Sequence, residues 1–280
     1  MSKIAIVTDS TSTLPKELVQ QYNIYVAPLS VTWDRVRYRD GIDLQPTEFY
    51  QILRRSSTLP TTSSAIQGEF LQIFECLRGK VDGIVAIVLS GALGAAYSSA
   101  LNAKNMVPEI QIEIIDSRLA TMGMGFGVIA AAKMATEGNN MEHITRAAKD
   151  IQSKVHVYFA MDTFEYLRRG GRVSLPKAAL ASLLKVKPIM VFKDGKVEPV
   201  ATPRTMPKAI ESLLGFMKEK VTNTPLHAAV MHADNQDGAE NLRREITSRF
   251  QCAELLITGF SPVIGTHMGP GALSIAFYCE

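Results

Sequence analysis

Ser90 is placed where its hydroxyl could do chemistry, because it directly follows an apolar run. Residues 83–89 predict a buried strand, and residues 90–94, Ser-Gly-Ala-Leu-Gly, predict a turn. The Gly-x-Ser-x-Gly pattern of hydrolase nucleophiles does not fit, since Val88 and Ala92 stand at the glycine positions. Glycines after a parallel strand let a ligand approach the backbone N–H groups closely. The turn therefore predicts a ligand site, and a tight turn without a ligand is the alternative.

Two further groups could bind an anion. Thr62 and Ser63 belong to a run of four hydroxyl residues ahead of a predicted helix at 68–78. Such a run caps the helix, lies in a solvated loop, or donates hydrogen bonds to an anionic head group. His267 lies in residues 265–271, where four of seven residues are Gly or Pro, which predicts a constrained loop. A histidine on such a loop can contact a ligand.

Alternating glycines at residues 122–127, Met-Gly-Met-Gly-Phe-Gly, invite comparison with the dinucleotide-binding fingerprint. The last glycine of Gly-x-Gly-x-x-Gly is replaced by Val128, and the segment begins well past its strand. These differences argue against nucleotide binding. Small residues on a helix more often permit close packing or leave space beside a cavity.

Positive charge is concentrated in the last 120 or so residues of the chain. Solvated surface charge is the ordinary interpretation, and an acidic protein partner or a phosphate group is the more specific one. The residues are Arg168, Arg169, Arg172, Lys185, Lys187 and Arg204.

The elements that must position these groups predict an α/β fold. Strands at 3–7, 24–31, 83–89 and 110–115 alternate with helices at 46–55, 68–78, 97–106, 122–137 and 142–153, which predicts a mainly parallel sheet flanked by helices. After residue 155 the pattern changes to an α+β domain with a hairpin at Asp194-Gly195. We therefore predict an α/β domain at 1–155 and an α+β domain at 156–280.

Composition excludes several classes of protein. The chain has 280 residues, of which 46% are hydrophobic and 20% are charged, as in packed globular proteins. No apolar run reaches the roughly 20 residues of a membrane span, so we expect at most transient membrane contact. A net charge of +3 gives no reason to expect nucleic acid binding. Three separated cysteines and the absence of a signal peptide predict a cytoplasmic protein, and no motif predicts a metal site.

Taken together, these segments resemble the DegV family of bacterial fatty-acid-binding proteins. The matching segments span nearly the whole chain in family order. They are Ile-Val-Thr8-Asp9-Ser10-Thr11, Leu59-Pro-Thr61-Thr62-Ser63, Gly68-Glu-Phe, Leu89-Ser90 with Tyr97-Ser-Ser-Ala, Asp116-Ser117, Leu167-Arg-Arg-Gly-Gly-Arg172, Leu184-Lys-Val-Lys-Pro-Ile189 and Gly265-Thr-His267-Met-Gly-Pro-Gly-Ala-Leu273.

The resemblance implies a two-domain carrier that holds a long-chain fatty acid, such as palmitate, in a cleft between the α/β domain and the α+β domain, without a cofactor. It also implies a partner, a fatty acid kinase, that phosphorylates the bound carboxylate to an acyl phosphate used in phospholipid synthesis. Thr62, Ser63 and His267 are expected to contact the carboxylate, and Ser90 and the turn after it complete the head-group pocket. The arginines Arg168, Arg169, Arg172 and Arg204 are expected to contact the partner.

This sequence departs from the family pattern at the turn. The usual Ser-Ser-Gly-Leu-Ser-Gly-Thr becomes Ser90-Gly-Ala-Leu-Gly94-Ala-Ala, so Gly94 stands where a ligand-binding serine is expected. Thr-Ser-Gln-Pro-Ser likewise becomes Thr62-Ser-Ser-Ala-Ile66. Our hypothesis is that backbone N–H groups near Gly94, or a water, replace the missing hydroxyl.

The acyl tail would dominate the affinity. Burying about fourteen methylenes at roughly 0.8 kcal/mol each supplies about 11 kcal/mol before association costs. Met122, Met124, Phe126 and Ile129 are the expected lining of the tail. We predict a lipid carrier and not an enzyme. The alternative is an enzyme that acts on a small acyl or hydroxy compound in the cleft, using Ser90 or His267.

Overall fold

The computed structural model describes residues 2–64, 66–173 and 185–280. The strands are β1 (Ile4–Asp9), β2 (Tyr25–Ala27), β3 (Ser30–Trp33), β4 (Val36–Arg39), β5 (Thr61–Ser63), β6 (Gly83–Val88), β7 (Ile112–Asp116), β8 (His156–Ala160), β9 (Ile189–Lys193), β10 (Lys196–Ala201), β11 (Leu226–His232), β12 (Cys252–Gly259) and β13 (Leu273–Cys279). The helices are α1 (Lys16–Gln21), α2 (Pro46–Arg55), α3 (Gln67–Leu77), α4 (Ala96–Asn105), α5 (Thr121–Thr136), α6 (Met141–Lys154), α7 (Glu165–Gly170), α8 (Met206–Lys220), α9 (Gln236–Arg249) and α10 (Pro262–Met268).

The chain divides into two compact units. The first comprises Met1–Asp43 and Thr62–Ser153, and the second comprises Leu44–Thr61 and Lys154–Glu280. The continuous boundary at 155/156 that the sequence predicts therefore misses the segment Leu44–Thr61. This segment contains α2, whose apolar side chains Phe49 and Tyr50 are buried against α10 of the second unit. An amphipathic helix packs its apolar side into one hydrophobic core, but its local sequence does not show which core that is.

The first unit is built on a four-stranded parallel sheet in the order β2-β1-β6-β7. Every residue of the central strand β6 is buried, as expected for a strand covered by helices on both faces. Helix α5 packs on β1 and β6 and is buried on all sides from Thr121 to Ile129. These features confirm the predicted α/β class with a parallel sheet.

A small third sheet in the order β4-β3-β5 differs from the prediction. The single strand predicted at 24–31 is in fact two strands, β2 and β3, in different sheets. Pro28 stands between them and lacks the N–H that a continuous ladder needs. The hairpin from β3 to β4 turns through Asp34 and Arg35, both with positive φ but neither a glycine, so the usual turn signal is missing.

The second unit is built on a six-stranded mixed sheet in the order β10-β9-β8-β13-β11-β12. Helices α8 and α9 supply Leu213, Leu214 and Leu242 to one buried core with the sheet residues Val230 and Ile275. The hairpin between β9 and β10 turns through Asp194 and Gly195, with φ of 50° and 78°. The structure therefore confirms the Asp-Gly hairpin and the α+β character of this part of the chain.

Candidate functional site

The turn after β6, residues 89–95, has its backbone fixed by side chains from three different elements. Leu89 N donates to Asp9 Oδ2 at the end of β1 (2.7 Å), and Gly91 N donates to Asp116 Oδ1 at the end of β7 (3.2 Å). Ala95 N donates to Ser64 Oγ just beyond β5 (2.7 Å). The carboxyl ends of neighbouring parallel strands meet at one sheet edge, and this brings Asp9 and Asp116 together, whereas Ser64 follows β5 of the small β4-β3-β5 sheet.

Asp9 is the buried anchor of this turn. It is 0% exposed, and its Oδ1 accepts hydrogen bonds from Thr11 N (2.9 Å) and Thr11 Oγ1 (2.5 Å). Burial raises the pKa of the Asp9 carboxyl, and the hydrogen bonds from Leu89 and Thr11 oppose part of that rise. Asp9 therefore links β1 to the start of the turn. Asp9 lies in the first of the family motifs, but its position in the sequence alone indicates no role for it.

Ser90 is buried within the turn. Its Oγ accepts a hydrogen bond from Ala92 N (3.3 Å), and its own N–H donates to Leu119 O (2.9 Å). The first bond stabilises the turn directly after β6, and the second joins it to the segment between β7 and α5. The structure thus places Ser90 in a tightly held turn at the carboxyl end of the sheet, where the sequence predicts it.

Gly94 is a glycine for reasons of space. A Cβ built at this position would overlap Ser64 Oγ and would lie 3.4 Å from a methyl carbon of Leu89. The backbone at Gly94 does not have the positive φ that disfavours other residues, so only the neighbouring side chain excludes a larger one. A side-chain hydroxyl, that of Ser64, therefore occupies the space beside Gly94.

Thr62 and Ser63 lie in strand β5 and do not cap a helix. Helix α3 begins at Gln67, and its N-cap residue Ile66 makes no side-chain capping bond. Both residues are half-buried in the first unit. The helix-cap alternative is wrong because the chain extends into the β4-β3-β5 sheet before α3 begins. Ala65, which follows Ser64, lies outside the described residues, as does Leu184 of the family motifs.

His267 lies on α10 and not on a loop as the sequence predicts. Ser261 caps this helix, accepting a hydrogen bond from Ile264 N (3.5 Å), and Pro262 occupies the first turn. Gly265 lies within the helix, where it allows close packing against α2, because a side chain at this position would overlap Tyr50 and Phe49. Close packing thus overrides the loop signal of the glycines and prolines.

The environment of His267 favours the neutral imidazole. Its Nδ1 is buried against Gly170 at the end of α7, where an added Cβ would overlap the ring. Burial lowers the pKa of His267 to about 4, and the guanidinium of Arg172 acts in the same direction. In the absence of an anion, this histidine offers a hydrogen bond but no charge at neutral pH.

The four expected tail residues are all buried on α5, but they do not share one face. Met122, Phe126 and Ile129 follow the spacing i, i+4, i+7 and lie on one side of the helix. Met124 is rotated about 200° from Met122 and lies on the opposite side. One acyl chain can therefore contact the first three residues together, but not Met124 from the same side of α5.

The predicted basic group is partly neutralised within α7. Arg168 and Arg169 both form ion pairs with Glu165, at 2.8 Å and 2.5 Å, and together they lower the pKa of Glu165 to about 2. Arg172 donates to Gly170 O (2.6 Å) and lies near His267. Arg204 is exposed just before α8. Arg168, Arg169 and Arg204 are all exposed, and Arg204 differs from the other two because it is not engaged with Glu165.

A groove elsewhere in the first unit does not coincide with these residues. It has a volume of about 680 Å³ and lies between β7 and α6. Seven of the eight residues that line it are of charged or polar type, and the eighth is Met141: Gln111, Glu113, Glu142, Thr145, Arg146, Lys149 and Asp150.

Within residues 2–64, 66–173 and 185–280, no three His, Cys, Asp or Glu side chains form a group suited to a metal ion. In the same ranges, no helix combines the length and the apolar character that crossing a bilayer requires.

Comparison with known proteins gives matches over the full length of the chain. The model of a family described as "Uncharacterised protein, DegV family" matches residues 3–280. Protein DegV of Bacillus subtilis is 35% identical over 276 residues, which cover 98% of each chain. A DegV domain-containing protein of Caldanaerobacter subterraneus is 34% identical over 278 residues, which cover 99% of each chain.

Solved structures of DegV proteins are also similar to this chain over its full length. DegV of B. subtilis, described as a fatty acid binding protein, matches with a TM-score of 0.93 and 34% identity over 100% of both chains. A DegV family protein of Thermus thermophilus, described as binding fatty acid, matches with a TM-score of 0.93 and 30% identity over 100% of both chains. These comparisons confirm the family resemblance and the predicted fold, and the chain belongs to the DegV family.

Proposed function

We propose that this protein binds a long-chain fatty acid, such as palmitate, and presents its carboxylate to a fatty acid kinase. It acts as a carrier that does not itself catalyse a reaction, and the acyl phosphate formed on it serves phospholipid synthesis. The main support is the full-length match to DegV of B. subtilis, which is described as a fatty acid binding protein.

The carboxylate is the part of the ligand that needs specific partners, because a buried anion without hydrogen bonds is costly. We assign this role to Thr62, Ser63, Ser90, the main chain at Gly94, and His267. The support for this assignment comes from the turn after β6. Asp9, Asp116 and Ser64 accept hydrogen bonds from the amides of Leu89, Gly91 and Ala95, so the backbone at Gly94 is held in place before a ligand binds.

The acyl tail is assigned to the side of α5 that contains Met122, Phe126 and Ile129. These side chains are apolar, unlike the lining of the groove at β7 and α6. Methionine adapts to irregular apolar ligands through its flexible thioether, which suits a chain of methylenes. Met124, on the other side of the helix, is expected to matter less for tail binding.

The kinase contact is assigned to Arg204 together with Arg168, Arg169 and Arg172. Of these, Arg204 is exposed and Arg168 and Arg169 are already paired with Glu165. Arg204→Glu is therefore expected to lower acyl phosphate formation at least tenfold and to leave the Kd for fatty acid unchanged. The matched control is Arg244→Glu, an exposed arginine of α9 that bonds to Asn241. Equal loss of lipid affinity in Arg204→Glu would move this residue from the partner surface to the lipid site.

Lipid analysis of the purified protein tests the central proposal. Mass spectrometry of the organic extract is expected to find one long-chain fatty acid per chain, and a delipidated sample is expected to rebind palmitate. Acyl phosphate should form only when a fatty acid kinase and ATP are added. A protein that rebinds no fatty acid would refute the proposal, and turnover of an acyl compound without the kinase would favour the enzyme alternative.

A further inference from the structure

Ser64 makes an unexpected contact beside the turn of the proposed head-group site. Its Oγ accepts a hydrogen bond from Ala95 N (2.7 Å), although the two residues are 31 positions apart. The backbone carbonyl of Ser64 in turn accepts from Ser99 Oγ of α4 (3.4 Å). The residue is therefore tied to both the turn and the helix that follows it, and its hydroxyl is held in one place.

The position of this hydroxyl is the one that a side chain at residue 94 would occupy. A Cβ at Gly94 would overlap Ser64 Oγ and would lie 3.2 Å from Ser64 Cβ. Because the backbone at Gly94 has no positive φ, it would accept a serine if Ser64 were smaller. The two positions are thus alternative sources of a single hydroxyl at the same point of the turn.

The hydroxyl of Ser64 remains able to donate. As an acceptor it binds Ala95 N, and among the described residues no acceptor is recorded for its own O–H proton. A hydroxyl that accepts one hydrogen bond becomes a stronger donor in another. Helix α4 starts at Ala96, directly after Ala95, and its N-cap residue Ala95 provides no capping side chain. The dipole of this helix therefore favours an anion near its N-terminus.

We propose that Ser64 donates a hydrogen bond to the carboxylate of the bound fatty acid and supplies the hydroxyl that Gly94 lacks. This inference rests on the proposed function and adds one ligand residue to it. It replaces our hypothesis that a backbone N–H or a water fills the gap. It also changes the expected effect of Gly94→Ser, because the new side chain would displace the Ser64 hydroxyl and would not add to it.

The first experiment compares two ligands of equal length in delipidated protein, palmitate and hexadecanol. Ser64→Ala is expected to weaken palmitate binding at least tenfold, the typical effect of losing a hydrogen bond to a charged group. It should weaken hexadecanol binding less than threefold. The matched control is Ser98→Ala, whose exposed hydroxyl donates to Ala95 O (3.0 Å), and this variant should bind both ligands like the wild type.

The second experiment moves the hydroxyl from one position to the other. Ser64→Gly and Gly94→Ser should each weaken palmitate binding, the first by loss of the donor and the second by overlap. The double variant, Ser64→Gly with Gly94→Ser, should recover affinity to within about threefold of the wild type. Thermal unfolding of all variants verifies that they are folded at the temperature of the binding measurement.

The outcomes separate this inference from the proposed function. Wild-type protein that binds palmitate, combined with equal losses for both ligands in Ser64→Ala or no recovery in the double variant, overturns the role of Ser64 alone. Wild-type protein that binds no palmitate overturns the proposed function and the role of Ser64 together. A selective loss for palmitate together with recovery in the double variant supports the inference.

Discussion

At the scale of single residues, the ionisation of His267 decides what the proposed head-group site offers a carboxylate. The pKa of His267 is lowered to about 4 by burial and by Arg172, so the free protein holds a neutral imidazole at pH 7. An anionic carboxylate bound next to this ring would favour its protonation. Binding near neutral pH is then coupled to proton uptake, a property that a permanently charged lysine or arginine would not give.

The same pKa predicts how stability depends on pH. In the unfolded chain the histidine has its ordinary pKa near 6.5, so on acidification the unfolded state binds a proton at a higher pH than the folded state does. The stability of the folded state therefore falls as the pH drops from about 6.5 to 4. At pH 5 the loss from this residue is about 2 kcal/mol. Urea unfolding of ligand-free protein at pH 7.5 and pH 5 should show this loss in the wild type but not in His267→Gln. Equal losses in the two proteins would contradict a buried neutral His267.

At the scale of elements, Asp9 joins strand β1 to the turn after β6. Asp9→Ala removes the acceptor of Leu89 N and the acceptor of both Thr11 donors, N and Oγ1, and it leaves these buried donors without their partner. We expect the free energy of unfolding to fall by about 3 kcal/mol. The measurement is urea unfolding at pH 7.

The matched control for this change is Asp82→Ala. Asp82 is exposed and accepts one hydrogen bond from Lys3 N (2.7 Å), so its loss should cost less than about 1 kcal/mol. Similar costs for Asp9→Ala and Asp82→Ala would mean that Asp9 does not anchor the turn.

The contact between α7 and α10 depends on glycines that allow a close approach. An added Cβ at Gly170 would overlap the ring of His267, and one at Gly269 would overlap Tyr166. Gly170→Ala is therefore expected to destabilise the protein by about 1–3 kcal/mol and to displace His267. The Tm of thermal unfolding and the affinity for palmitate should both decrease.

Gly215→Ala is the control for helix propensity. Gly215 lies within α8 and has open space around the added Cβ, so alanine should be neutral or stabilise by up to about 1 kcal/mol. If Gly170→Ala behaved like Gly215→Ala, the proposed packing of α7 against His267 would be wrong.

At the scale of the whole molecule, a bound fatty acid should stabilise the native state. A ligand at one hundred times its Kd adds about 2.7 kcal/mol when it binds only the folded protein. Palmitate should therefore raise the Tm of delipidated protein by several degrees. Palmitate methyl ester, which has the same tail but no anionic oxygen pair, should give a smaller shift. Equal shifts for the two ligands would argue against a specific carboxylate site.

The prediction from sequence succeeded where local periodicity and burial point to the same element. The run that forms β6 is apolar over the whole strand, and α2 has the bounds 46–55 that its pattern predicts. It failed at α10, where glycines and prolines suggest a loop, and at Thr62 and Ser63, which form a strand. In both places the conformation depends on distant packing partners, the helix α2 and the strand β3.

The amino-acid sequence determined the family, the parallel sheet of the first unit and the candidate residues Ser90, Gly94 and His267. These conclusions follow from motifs and periodicities that can be recognised within short stretches of the chain. Only the tertiary structure decided that α2 belongs to the second unit, that Arg172 lowers the pKa of His267, and that Ser64 fills the space beside Gly94. Such features depend on atoms that are far apart in the chain and meet only when the elements pack.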